Sequence, residues 1–384
     1  MTHSTERRLQ WLKRLTLVGT VLTVLVILVG AWTRLVDAGL GCPDWPGCYG
    51  RLLVPDAEHA ALRHPDVPLE PFKAWVEMAH RYVASFLGLI VLSIVALGWQ
   101  LRKQMGFPWK VSVALLVVIL FQGAFGAFTV TLKLWPQVVT LHLLGGLSVL
   151  VLFFWVHLRI RVYLMSLTSS PIDTVTSPTN PIFSPTSASY LSSSPTGYVS
   201  SLKKMNVLWV IGVSVLVLQL ALGGWVTSNY AGIACQGFPT CNTQWWPEMD
   251  ISEGFHLTQT VGPNYLHGQL HADARTAIHI MHRLGALLLG VVLLVLWWRY
   301  RRDIAVGRAL TLVVITYVAQ VVLGIANVLL WLPLWLALLH TAGAVALTLS
   351  FEWAFWCWKR QLSGQRKPQN YIKLFEKPSI HYSD

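Results

Sequence analysis

GAWTRLVDAGLGCPDWPGC, residues 30–48, and GGWVTSNYAGIACQGFPTC, residues 223–241, are one pattern written twice. Gly30, Trp32, Gly39, Cys42, Pro46 and Cys48 meet Gly223, Trp225, Gly232, Cys235, Pro239 and Cys241 at a constant offset of 193. Rare residues repeated in one order point to an internal duplication, and the match continues outward from these runs. His80, Arg81, Ala84 and Gly88 meet His282, Arg283, Ala286 and Gly290 at an offset of 202, and Gln122, Gly126, His142 and Gly145 meet Gln320, Gly324, His340 and Gly343 at 198.

Between these landmarks the chain is strongly apolar. Of its 384 residues 54% are hydrophobic and 12% charged, against about 25% charged in an ordinary soluble domain. That balance excludes a disordered chain, a nucleic-acid-binding module and a disulfide-rich miniprotein. A membrane-spanning helix needs roughly 20 mostly apolar residues, and eight stretches qualify, near 15–34, 75–101, 111–132, 138–158, 205–228, 275–298, 309–331 and 335–358. The first is too long for a signal-peptide core and lacks a small-residue cleavage site, so it reads as a retained span. The expected fold is an all-α integral membrane protein whose eight transmembrane helices form two tandem, parallel-repeat four-helix bundles. Because four is even, both halves enter and leave on one side, and each site in one half has a counterpart at the same depth in the other.

Charge sets the orientation. With the N-terminus inside, the inner segments hold 21 of the 29 cations: Arg7 to Arg14, Arg102 to Lys110, Arg159 to Lys204, Arg299 to Arg308, and those after Trp358. This is a positive-inside distribution. It predicts a multi-pass protein of the inner (plasma) membrane with both termini cytoplasmic and the cysteine loops outside. The expected segments are a cytoplasmic N-terminus at 1–14, an N-terminal half at 15–163, a linker at 164–204, a C-terminal half at 205–358 and a cytoplasmic tail at 359–384. The linker is rich in Ser, Thr and Pro and nearly uncharged, a composition that buries too little apolar surface to offset its ordering entropy.

Four duplicated histidines, His80, His142, His282 and His340, lie a turn or two inside the outer ends of the even-numbered spans. Ionisable groups inside spans are costly and usually face the bundle interior, where cofactor sites are built. Two inward imidazoles per half, without a carboxylate set, suit bis-imidazole haem iron better than zinc or di-iron, which need more ligands. The plainer alternative is four interfacial imidazoles bonded to water or backbone. Gly145, Gly146, Gly285 and Gly343 leave room either for a macrocycle or for close helix packing. Arg81 and Arg283 follow two of the histidines and could pair with haem propionates or snorkel to water.

The halves differ at one acidic position. Glu77 stands three residues before His80, on the same helical face, and its repeat equivalent is His279. Such asymmetry suits one reactive and one supporting site; a carboxylate favoured by the helix start is the alternative. Asp37 is a loop acid. Equal spacing favours disulfides within each loop, Cys42–Cys48 and Cys235–Cys241, over cross-loop pairs, and whether these staple the loop or cycle in redox stays open. A zinc site from Cys42, Cys48, His59 and His64 lacks the usual spacing.

The run TRLVDAGLGCPDWPGCYG at 33–50, EMAHR at 77–81, the paired C-x5-C loops and the four histidines resemble haem A synthase, over nearly all the chain outside the linker and tails. That resemblance implies that haem O enters the N-terminal half between His80 and His142, and that Glu77 acts near its C8 methyl. The methyl is oxidised in two oxygenation steps to a hydrated aldehyde that loses water to give the formyl group. It also implies a haem b cofactor on His282 and His340, iron as the metal at all four histidines, and haem O synthase and terminal oxidase assembly as partners. An electron donor, the lipid bilayer and a homo-oligomer complete the expected associations, with no nucleic acid among them. The long linker and the extra His279 depart from the family pattern. The competing readings are a di-haem b-type membrane electron-transfer protein, disfavoured by the Glu77/His279 asymmetry, and a transporter or haem-handling chaperone, whose sites belong nearer the bilayer centre.

Overall fold

The computed structural model describes residues 3–168 and 206–364. Most of the predicted linker and tail therefore lies outside the described residues. Eight long helices are long and apolar enough to cross a membrane: α1 (His3–Leu35), α3 (Pro71–Trp99), α4 (Trp109–Thr131), α5 (Pro136–Thr168), α6 (Val207–Ser228), α8 (Ala272–Tyr300), α9 (Ile304–Leu329) and α10 (Leu334–Gly364). Two short ones, α2 (Ala57–Arg63) and α7 (Ile251–Gly254), lie in the cysteine-bearing loops. The fold is thus that of an all-helical, multi-pass membrane protein. Helix is forced on these segments because a lipid-exposed backbone must satisfy its own hydrogen bonds.

The helices outrun the apolar stretches that predict them. Helix α1 begins at His3 and α5 continues to Thr168, five residues into the predicted linker. Backbone bonding continues a helix past the membrane until something stops it, so hydropathy underestimates its length. Where stops exist they are chemical. Asp303 accepts from the Ala305 and Val306 N–H groups and caps α9, and the Asn206 side chain accepts from the Leu208 N–H to start α6; such a cap contributes about 1 kcal/mol.

Helices α1, α3, α4 and α5 enclose one apolar core, around Leu12, Ile94, Leu115 and Phe153. Helices α6, α8, α9 and α10 enclose another, around Trp209, Leu293, Leu310 and Phe351. A third cluster, of Ile27, Leu147, Leu150 and Val345 with Leu220 and Leu349, joins them across α1, α5, α6 and α10. At the end that carries the cysteine loops, the Tyr230 hydroxyl donates to Asp37 at 2.8 Å and the Arg34 guanidinium lies 3.8 Å from the Tyr230 ring centre. Burial pushes the Tyr230 hydroxyl above its ordinary pKa, so it stays a donor.

Local features recur at the sequence offsets. The cis bonds Trp45–Pro46 and Phe238–Pro239 and the left-handed pairs Asp37/Tyr230, Tyr49/Asn242, Lys133/Trp331 and Leu134/Leu332 all keep register. At the opposite end the two sets of helices diverge. There α1 packs closely along α5, with Thr16 Oγ1 3.1 Å from His157 Nδ1. The equivalent positions hold Trp209 and Phe355, ring centres 5.7 Å apart, and α6 meets α10 only sparingly.

Candidate functional site

Each of the four histidines lies against a glycine on a neighbouring helix. A Cβ placed on Gly30 of α1 would meet His80 Cε1 at 2.8 Å, and one on Gly223 of α6 would meet His282 Cε1 at 3.2 Å. The distances are 3.3 Å for Gly126 of α4 against His142 and 3.1 Å for Gly324 of α9 against His340. Only a residue without a side chain lets an imidazole approach a helix so closely. His80 and His142 lie within electrostatic range of each other, as do His282 and His340.

Each set of four helices thus carries two glycine-backed imidazoles, and among the described residues no cluster of three or more His, Cys, Asp or Glu could hold a metal ion. The His80 and His340 Nδ1 atoms are buried without a hydrogen-bond partner among the described residues. Pairs of half-buried imidazoles fit the protein's share of a bis-imidazole haem, which asks for two such ligands. They do not match a zinc or di-iron site.

Glu77 is buried, and its carboxylate is engaged from two sides. Oε2 accepts the Cys42 N–H at 2.9 Å and Oε1 is paired with Arg81. Its equivalent, His279, donates from Nδ1 to the Ala231 carbonyl at 2.9 Å. The asymmetry expected from the sequence therefore sits where helix meets cysteine loop: a carboxylate in one half, an imidazole in the other. Glu77 ties that loop to the helix that carries His80, three residues on.

Arg81 and Arg283 are both wired into these loops. Arg81 donates to the carbonyls of Asp44 at 3.0 Å, Pro46 at 3.2 Å and Gly47; Arg283 donates to those of Gly237 at 2.9 Å and of Cys235 and Thr240 at 3.2 Å. Cys42 is joined to Cys48 and Cys235 to Cys241, all buried, so each C-x5-C closes on itself as its spacing predicts. Cys357 is free. The disulfide uses the thiols that a zinc site would need, and His59 Nε2 instead donates to the Tyr49 carbonyl at 3.1 Å.

Three of the glycines read as room for a macrocycle or for close helix packing lie against glutamine side chains. A Cβ on Gly145, Gly285 or Gly343 would fall 2.0, 2.3 or 2.1 Å from the Oε1 of Gln122, Gln219 or Gln320 respectively. Glutamine amides fill that space, and two of them reach the histidines: Gln122 Nε2 is 3.0 Å from His142 Nδ1 and Gln219 Nε2 is 3.1 Å from His282 Nδ1. Gln219 escapes a search for matches between the copies because its equivalent is Val26. The findable signal is Gln-x3-Gly, present at 122–126, 219–223 and 320–324.

The chain is thus an all-helical, multi-pass membrane protein with two pairs of glycine-backed histidines. Residues 13–351 match the family COX15-CtaA, described as Cytochrome oxidase assembly protein, and the chain belongs to that family. It is 40% identical to the heme A synthase of Shewanella oneidensis over 94% of this chain and 99% of that protein. It is 26% identical to the heme A synthase of Shouchella clausii, over 83% of this chain and 92% of the relative, and 27% identical to that of Symbiobacterium thermophilum, over 86% and 90%.

Proposed function

We infer that this chain is an oxidoreductase of haem A biosynthesis, a haem A synthase that oxidises the C8 methyl of haem O to a formyl group for the terminal oxidases. Family membership and the 40% identity to a heme A synthase over nearly the whole of both chains support the activity. The observation that carries the division of roles is the twinned histidine pockets with a buried carboxylate in one only. In the proposal residues 15–163 bind the substrate haem through His80 and His142, and residues 205–358 hold a resident haem b through His282 and His340. Such a haem supplies one-electron chemistry when bound.

The chain's own residues have three tasks. The glycine-backed imidazoles fix the ligand rings in place, and the bundles exclude water from the reacting methyl. Glu77 stands ready to accept a proton beside His80, oriented by the Cys42 N–H and Arg81. Arg81 and Arg283 remain proposed propionate partners, supported by their places next to two ligand histidines. The orientation in the proposal is that of the cation distribution, with cytoplasmic termini and outer disulfide loops in the plasma membrane. Its partners are haem O synthase upstream and oxidase assembly downstream.

Pigment extraction with mass analysis of the purified chain tests the function. Haem b together with haem O or haem A is the expected result. Haem b alone, two per chain, would instead favour the di-haem electron carrier.

A further inference from the structure

Helices α1, α4, α6 and α9 each present a four-residue step that ends on the glycine beneath a histidine. In α4, α6 and α9 the step begins with glutamine, at Gln122, Gln219 and Gln320; in α1 it begins with Val26. A second position changes with it. The residue three beyond the histidine is Gly145, Gly285 or Gly343 wherever a glutamine needs the room, and Val83 beyond His80, where there is no amide to admit. His80 Nδ1 correspondingly has no hydrogen-bond partner among the described residues. Gln320 stands beside His340 with its Oε1 and the ring Nδ1 both unpartnered among the described residues, so the amide is at hand there without the bond. The C-terminal pair of histidines thus has an amide beside each ring, and the N-terminal pair beside His142 alone.

We propose that this step decides which haem stays and which exchanges: Gln219 makes His282 a fixed iron ligand, while Val26 and Val83 leave His80 a releasable one. This rests on the haem ligands assigned above. A histidine that binds iron through Nε2 carries its proton on Nδ1, and a buried N–H needs an acceptor to hold the ring and strengthen it as a ligand. The Gln219 amide lies 3.1 Å from that atom, with its nitrogen also on the His282 carbonyl and its Oε1 unpartnered. When Nδ1 carries the proton, a half-turn of the amide brings Oε1 to it, since the two ends of an amide have nearly the same shape, and gives up the bond from Nε2 to the His282 carbonyl in exchange. Valine offers no acceptor in either orientation. A substrate site has to release its product haem, so the missing amide is where that site differs usefully from a cofactor site. Loss of such a partner typically weakens metal binding about 10- to 100-fold.

The test uses the purified full-length chain with its resident haem. Haem release to excess apomyoglobin, low-temperature electron paramagnetic resonance and a potentiometric titration are measured for Gln219→Leu, Gln219→Glu and the double variant Val26→Gln/Val83→Gly. Gln219→Leu is expected to release haem b at least about tenfold faster. Gln219→Glu should retain it and lower its midpoint potential, because a carboxylate gives the imidazole more anionic character. The double variant should release the haem of its N-terminal site to apomyoglobin at least about tenfold more slowly than the unaltered chain does. Unchanged release and potential in both Gln219 variants overturns the role of Gln219, and unchanged release from the N-terminal site in the double variant overturns that of Val26. If Gln219→Leu does not fold, the glutamate and double variants still decide the matter. Haem retention unaffected by His282→Ala would show a different failure, that of the ligand assignment itself.

Discussion

The His80 and His282 pockets share a plan and differ in what surrounds the ring. Both imidazoles lie on a glycine, Gly30 or Gly223, below a loop closed by a disulfide and braced by an arginine. The positions matched between the two hold Glu77 and Val26 for His80, and His279 and Gln219 for His282. One ring therefore has an acid nearby and no amide, and the other an amide and no acid. The packing beneath diverges too, close at Thr16 and His157 and wedged apart by Trp209 and Phe355. In the proposed division of roles, these few unequal residues are what separates the chemistry of two otherwise similar pockets.

The largest effect that can break this comparison comes from the ligands. His282→Ala or His340→Ala should abolish the low-spin signal of the resident haem, because each removes one of two axial imidazoles. His80→Ala or His142→Ala should leave that signal in place and stop conversion of haem O. An optical and paramagnetic spectrum of all four variants reads the outcome. Equal loss of resident haem from both sets would mean that the halves are not divided as proposed.

Glu77 comes next. Glu77→Gln keeps an oxygen to accept the Cys42 N–H but removes the charge opposite Arg81. Conversion of haem O to haem A should fall at least about tenfold, the usual size of lost acid–base help, with resident haem b retained. His279→Gln, at the equivalent position, should reduce conversion far less. Product analysis by mass separates the cases, and a normal rate in Glu77→Gln would remove the acid–base role.

Much of this was legible from spacing. The spans follow from apolar length, the within-loop disulfides from C-x5-C, and the four histidines from the offsets. What spacing hid has physical causes. Matching the copies finds residues that are the same, so Gln219, Val26 and Val83, to which the proposal gives a role because they differ, do not register. Gly145, Gly285 and Gly343 read as space, and only coordinates show that a glutamine amide takes it. Arg81 and Arg283 read as propionate partners or as cations snorkelling to water, while in the structure they donate to carbonyls of their own loops. The Thr16–His157 contact joins residues 141 positions apart, and Glu352, buried in α10 without a partner for either oxygen among the described residues, has no acidic counterpart at the matching position to mark it.

The smallest effect sharpens the comparison at the glycines. A methyl at Gly30 would stand 2.8 Å from His80 Cε1, closer than real Cβ atoms come, whereas at Gly223 the distance to His282 is 3.2 Å and a shift of a few tenths relieves it. His80 has no bond on Nδ1 to hold the ring, so it yields by turning; His282 is held by Gln219 at 3.1 Å. Gly30→Ala should therefore slow conversion about fivefold, the factor carried by about 1 kcal/mol of overpacking, and leave the resident haem unchanged. Gly223→Ala should shift the low-spin spectrum slightly with haem retained. Thermal stability is the wrong measurement, because alanine gains up to about 1 kcal/mol over glycine within a helix and can conceal the clash. Turnover and spectrum are the right ones: a Gly30→Ala chain that converts haem O at the unaltered rate would mean that the position of the His80 ring does not limit the reaction.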